Sequence, residues 1–94
     1  MDLKITNIEL LAESKPEDEN AYIAIEEMSE LVKEITKKLR NIERPADWLV
    51  EEIADTLISI TILLYQYGIT SKDLDDMISR KMDRNLRRID HESE

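Results

Sequence analysis

The sequence predicts an all-α protein, a compact antiparallel bundle of three main helices plus a short N-terminal helix. Three observations carry this. Apolar residues recur three and four positions apart along most of the chain. One glycine and two prolines leave few interruptions, and Glu, Leu, Ile, Lys and Arg, all tolerant of helix, are abundant. With 94 residues and 41% hydrophobic content, the chain is one domain over residues 1–94, with its core in 17–89. A chain this short buries a small share of its surface, so completion by homo-oligomerisation is expected.

The first element is a short amphipathic helix around Ile5, Ile8, Leu11 and Ala12, with Thr6 and Glu9 at capping-box spacing. It is expected to cover a core edge. Ser14 and Glu17 repeat that spacing with Pro16 between them, which predicts a long helix from about Glu17 to Asn41. Its apolar face is Ala24, Met28, Leu31, Val32, Ile35, Leu39 and Ile42, and Lys33, Lys37, Lys38 and Arg40 gather near its C-terminal end. Asn41–Arg44 reads as a loop.

Pro45 opens a second long helix running to about Tyr67, with Gly68 as its stop. This is the most apolar stretch of the chain, yet a polar stripe runs down it. At roughly 100° per residue, Trp48, Glu52, Asp55, Ser59 and Gln66 fall within about 60° of one another. Thr70 and Asp73 form a further capping box before a last helix to about Ile89. Its apolar face is Leu74, Met77, Ile78, Met82, Leu86 and Ile89, with Lys81 and Asn85 inside that face rather than opposite it. Residues 90–94 read as a frayed tail.

Composition narrows the function. A net charge of −9 argues against nucleic-acid binding, although Arg80, Lys81, Arg84, Arg87 and Arg88 make one basic segment. The absence of cysteine removes disulfide and thiolate chemistry. No stretch reaches the roughly 18–20 apolar residues of a membrane span, and the N-terminus lacks the apolar core of a signal peptide, so a cytoplasmic protein is expected.

Two carboxylate clusters remain, Glu26-Glu27-x-x-Glu30 and Glu51-Glu52-x-x-Asp55. Residues three or four apart share a helix face, and a short loop makes neighbouring helices antiparallel. The clusters can therefore converge between the two long helices, where mutual repulsion raises their pKa values and a divalent cation relieves it. Oxygen ligands without His or Cys suit Mg²⁺, or Mn²⁺. A solvated acidic face is the plain alternative for either cluster. Lys81 and Asn85 can hold phosphate oxygens, with Arg84 adding charge, although a lysine in an apolar stripe also snorkels to the surface. Trp48 offers a stacking surface for a base, or a core anchor.

The pair Glu26-Glu27-Met28-Ser29-Glu30 and Glu52-Ile53-Ala54-Asp55, with twenty-one residues between Glu30 and Glu52, resembles the E-E-x-x-E … E-x-x-D signature of the MazG-like all-α nucleoside triphosphate pyrophosphohydrolases. The resemblance covers about residues 20–89 and includes a last helix bearing Lys81-x-x-x-Asn85. It implies a helical homodimer or dimer of dimers that cleaves nucleoside triphosphates to monophosphate and pyrophosphate with Mg²⁺. By position, Glu27, Glu30, Glu52 and Asp55 look like metal ligands, and Glu26, with Glu30, like a group acting on water. Lys81 and Asn85 look like phosphate contacts. Where some relatives carry an aromatic one turn after the asparagine, this chain has Ile89. The expected function is thus a pyrophosphohydrolase cleansing the nucleotide pool. The competing expectation is an acidic helical module that binds a protein partner without catalysis.

Overall fold

The computed structural model describes residues 7–43 and 45–92, and among these described residues it has four helices. They are α1 (Ile8–Glu13), α2 (Glu17–Leu39), α3 (Ala46–Gln66) and α4 (Ser71–Glu92), and no strand occurs among the described residues. The all-helical expectation and the order of elements hold, and each long helix lies within a few residues of its expected bounds. The expected N-terminal cap at Thr6 and the residue Ile5 lie outside the described residues.

Helix α3 is the centre of the packing. It lies against α2 along its length and against α1 near its C-terminal end. The cross-connections run Glu27 to Thr56 and Asn20 to Gln66, so α2 and α3 are antiparallel. Small side chains permit the close approach: Ala24 is fully buried on α2, and Thr56 and Ser59 are buried on α3. At the far end, buried Asn20 ties three helices together. Its Nδ2 donates to the Ala12 carbonyl (2.8 Å) and to Gln66 Oε1 (3.1 Å), while Gln66 Nε2 donates to the Glu17 carbonyl (3.0 Å). That gives Gln66 the inter-helix hydrogen bonds its place in the polar stripe suggests.

The helix ends show which local signals operate. Thr70 and Asp73 form the expected reciprocal box: the Asp73 amide donates to Thr70 Oγ1 (3.1 Å) and the Thr70 amide to Asp73 Oδ2 (3.3 Å). Gly68 adopts φ +68°, the left-handed conformation that lets the α3 terminus turn without a Cβ penalty. Ser14 behaves differently. Its hydroxyl donates back to the Leu11 carbonyl at 2.7 Å and closes α1, while α2 begins after Pro16 with no side-chain cap. The carbonyls at the end of α1 compete for the same hydroxyl, and they win.

The chain by itself is not a compact bundle. Its radius of gyration is 16.4 Å, against about 12 Å for a globular chain of this length. The cause is α4, which runs on to Glu92 and does not pack along any other helix, leaving every described residue of it exposed. Among the described residues the buried apolar side chains are only Ala12 and Ala24.

Candidate metal centre

The polar stripe of α3 meets α2 midway along the hairpin, and three carboxylates converge there. Glu27 from α2 and Glu52 and Asp55 from α3 each offer an oxygen within 4.8 Å of the others, all three half-buried. Local sequence sets this up. Glu52 and Asp55 are three apart and share a face of α3. Glu27 lies on the α2 face that also carries Ala24, whose missing side chain bulk draws the helices together. Thr56 holds the crossing: its Oγ1 donates within α3 to the Glu52 carbonyl (2.7 Å) and lies 3.3 Å from the Glu27 carbonyl on α2.

Electrostatics make the convergence costly. Burial raises the Glu27 carboxyl above its usual range, and the charges of Asp55, Glu30 and Glu26 raise it further. Glu52 is raised by burial first, then by Glu27, Asp55, Glu30 and Glu34. Glu52 Oε2 is buried without a hydrogen-bond partner. A buried acceptor left unmade carries a penalty that a cation removes. The donor set, all oxygen with an orphaned buried atom, fits a hard divalent cation.

The remaining expected site residues divide into two groups. Glu26 and Glu30 sit at the exposed border of the cluster, near enough for their charges to act on Glu27, and Glu30 also pairs with Lys33 Nζ at 3.1 Å. Trp48, one turn before Glu52, is about half exposed. Lys81, Arg84 and Asn85 are placed elsewhere. They lie on α4, and within one chain α4 does not pack on the helices that carry the carboxylates. The single chain therefore assembles the acidic half of the expected site and not the basic half.

Sequence reasoning passed over Glu34. Its side chain is 11% exposed, it pairs with Lys37 Nζ at 3.4 Å, and its charge acts on Glu52. The signal was present: Glu34 follows Glu27 by seven residues and Glu30 by four, so it continues the same helix face. Asn20 and Thr56 were passed over as well, because a single Asn or Thr in a helix carries no periodic signature. A broad depression at the α2–α3 turn, lined by Lys38, Asn41, Ile42, Glu43 and Pro45, includes none of Glu27, Glu52 and Asp55.

Compared with known proteins, the chain matches no family model, no curated protein and no solved structure.

Proposed function

We propose that the protein is a Mg²⁺-dependent nucleoside triphosphate pyrophosphohydrolase, with Mn²⁺ as an alternative ion. The observation that carries this reading is the convergence of Glu27, Glu52 and Asp55 around the unpartnered Glu52 Oε2. The order and spacing of the two acidic motifs, which resemble those of the MazG-like enzymes, supply the reaction. Glu27, Glu52 and Asp55, with Glu30 at the border, would hold the cation. When bound, the ion supplies Lewis-acid polarisation of a phosphate oxygen and a lowered pKa for a coordinated water.

The chain's own residues do the rest. Glu26 and Glu30, at the solvent edge, orient the attacking water and accept its proton. Attack at the α-phosphorus breaks the α–β anhydride bond and releases monophosphate and pyrophosphate. Lys81, Asn85 and Arg84 offset the charge of the leaving pyrophosphate, which requires α4 of some copy to be brought to the acidic cluster. Trp48 stacks on the base. The enzyme works in the cytoplasm as a homo-oligomer.

The test is a panel of nucleoside and deoxynucleoside triphosphates assayed for pyrophosphate with Mg²⁺ and with Mn²⁺. Metal-dependent release that is lost in Glu52→Gln and Asp55→Asn supports the proposal. No release from any triphosphate, together with a Mg²⁺-induced rise in melting temperature that survives both substitutions, overturns it. The exposed apolar faces favour one second reading, a helical module that binds a protein partner. On that reading Mg²⁺ leaves the melting temperature unchanged.

A further inference from the structure

The acidic cluster has cations beside it that neither acidic motif names. Glu26, Glu30, Lys33 and Lys37 follow one another at four-, three- and four-residue steps, so they form one row along α2 at the border of the cluster. Helical side chains lean toward the N-terminus of their helix, and both lysines do so here. Lys33 Nζ lies 3.1 Å from Glu30 Oε1, and Lys37 Nζ lies 3.4 Å from Glu34 Oε1. The charges of Glu30 and Glu34 both act on Glu52, so the two ammonium groups stand at the edge of the candidate metal centre. Lys38, the next cation along, lines the depression at the α2–α3 turn instead.

A polyphosphate entering this site needs cations of the protein within reach. The carboxylates of Glu27, Glu30, Glu34, Glu52 and Asp55 already repel one another, and one divalent cation offsets only two of those charges. A phosphate chain laid beside them adds more negative charge. Lysine–glutamate pairs three apart on a helix are weak, and an ammonium has three protons to donate. Each lysine uses one on its glutamate and keeps two for a ligand. The glutamates therefore hold the ammonium groups in place without exhausting them.

The order along the row gives a direction. On the hydrolase reading, on which this inference rests, Glu26 and Glu30 take the proton of the attacking water. Displacement at phosphorus runs roughly in line. The water oxygen bonds to one side of the α-phosphorus, and the bridging oxygen leaves on the other with the bond pair and the pyrophosphate. The leaving side is then C-terminal to Glu30 along α2, where Lys33 and Lys37 stand. Four residues separate them, about 6 Å along the helix, a spacing that two linked phosphates span. We infer that Lys33 and Lys37 bind the β- and γ-phosphates within the same chain as the acidic cluster, and that Glu30 and Glu34 position them. Residues of α4 add to this charge and do not supply it alone.

Titration calorimetry of the full chain with inorganic pyrophosphate and, separately, with a nucleoside monophosphate, each with Mg²⁺, tests this. Lys33→Gln and Lys37→Gln each weaken pyrophosphate binding about tenfold, and the double variant about a hundredfold, the loss of one charge-assisted hydrogen bond at each position. Monophosphate binding and the Mg²⁺-induced rise in melting temperature stay as in the native protein, as does pyrophosphate binding in Lys38→Gln. Lys33→Arg with Lys37→Arg keeps the affinity within a few-fold, because the charge is kept. Native affinity for pyrophosphate in the double glutamine variant overturns the inference, and so does a native protein that binds none. An equal loss in Lys38→Gln, or an equal loss of monophosphate, also overturns it, since either marks overall charge rather than a site. Turnover separates this inference from the reading beneath it. Triphosphate hydrolysis with unchanged KM in the double variant sinks the inference alone. Lysine-dependent pyrophosphate binding without release from any triphosphate supports it and sinks the hydrolase reading.

Discussion

Helices α2 and α3, paired in the hairpin, and α4 have opposite fates in the single chain. Each is amphipathic, each is about the same length, and each carries polar side chains inside its apolar pattern. In the hairpin those polar groups are used: Glu27, Glu52 and Asp55 face one another, and Thr56, Asn20 and Gln66 bond across the helices. On α4 the polar intrusions Lys81 and Asn85 face solvent. The difference shows that an apolar stripe tells a helix to pack without telling it on what. Short connections bring α2 and α3 together, and small residues at the crossing let them close. Helix α4 has the stripe and, within its own chain, no surface to receive it.

The largest effect expected in the hairpin is on turnover. On the proposed hydrolase reading, Glu52→Gln lowers pyrophosphate release on the order of a hundredfold or more under Mg²⁺, measured as initial rate at saturating triphosphate. Asn85→Ala is expected to lower release as well, and undiminished release would break the comparison from the other side, because it would leave α4 no part in the site. Next is Asn20→Ala, which removes two donated bonds at the α1–α2–α3 junction. A loss of about 1–3 kcal/mol in urea unfolding is expected. Thr70→Ala deletes the cap that starts α4 and costs about 1 kcal/mol by the same measurement.

The pH response sharpens the contrast further. Glu27 and Glu52 have carboxyls raised above the ordinary 4.5. The folded protein therefore binds protons more tightly than the unfolded chain at these sites, and stability is lost as pH rises from about 4.5 through their folded values. Thermal melts of the metal-free protein between pH 4 and 8 should show that decline, flattened in Glu27→Gln and in Glu52→Gln, and flattened in the native protein by Mg²⁺. The smallest effect belongs to α4: Lys72→Ala breaks an exposed pair with Asp76 at 2.8 Å and shifts stability by no more than about 0.5 kcal/mol.

The two regions also differ in how legible they were. The Thr70–Asp73 box and the Gly68 stop are local, and the sequence announced both. The Ser14–Glu17 box had the same spacing and did not form, because Ser14 found the α1 carbonyls first. The carboxylates of the site were legible because residues three and four apart must share a face. Glu34 was missed although it obeys the same rule, since its place against Glu52 depends on how closely α2 meets α3. That α4 of the single chain stands apart from the acidic cluster was not legible at all.

By itself the sequence determined that the chain is helical, where each helix begins and ends to within a few residues, and which side chains share each face. Those are consequences of backbone sterics, capping chemistry and a 3.6-residue repeat, all settled within a few turns of chain. Tertiary structure alone decided that Glu27 meets Glu52 and Asp55, that Glu52 Oε2 is left without a partner, and that α4 stands apart. Those outcomes depend on the distance and angle between helices far apart in sequence. Side-chain volume at Ala24, Thr56 and Ser59 sets them, and no periodic pattern records it.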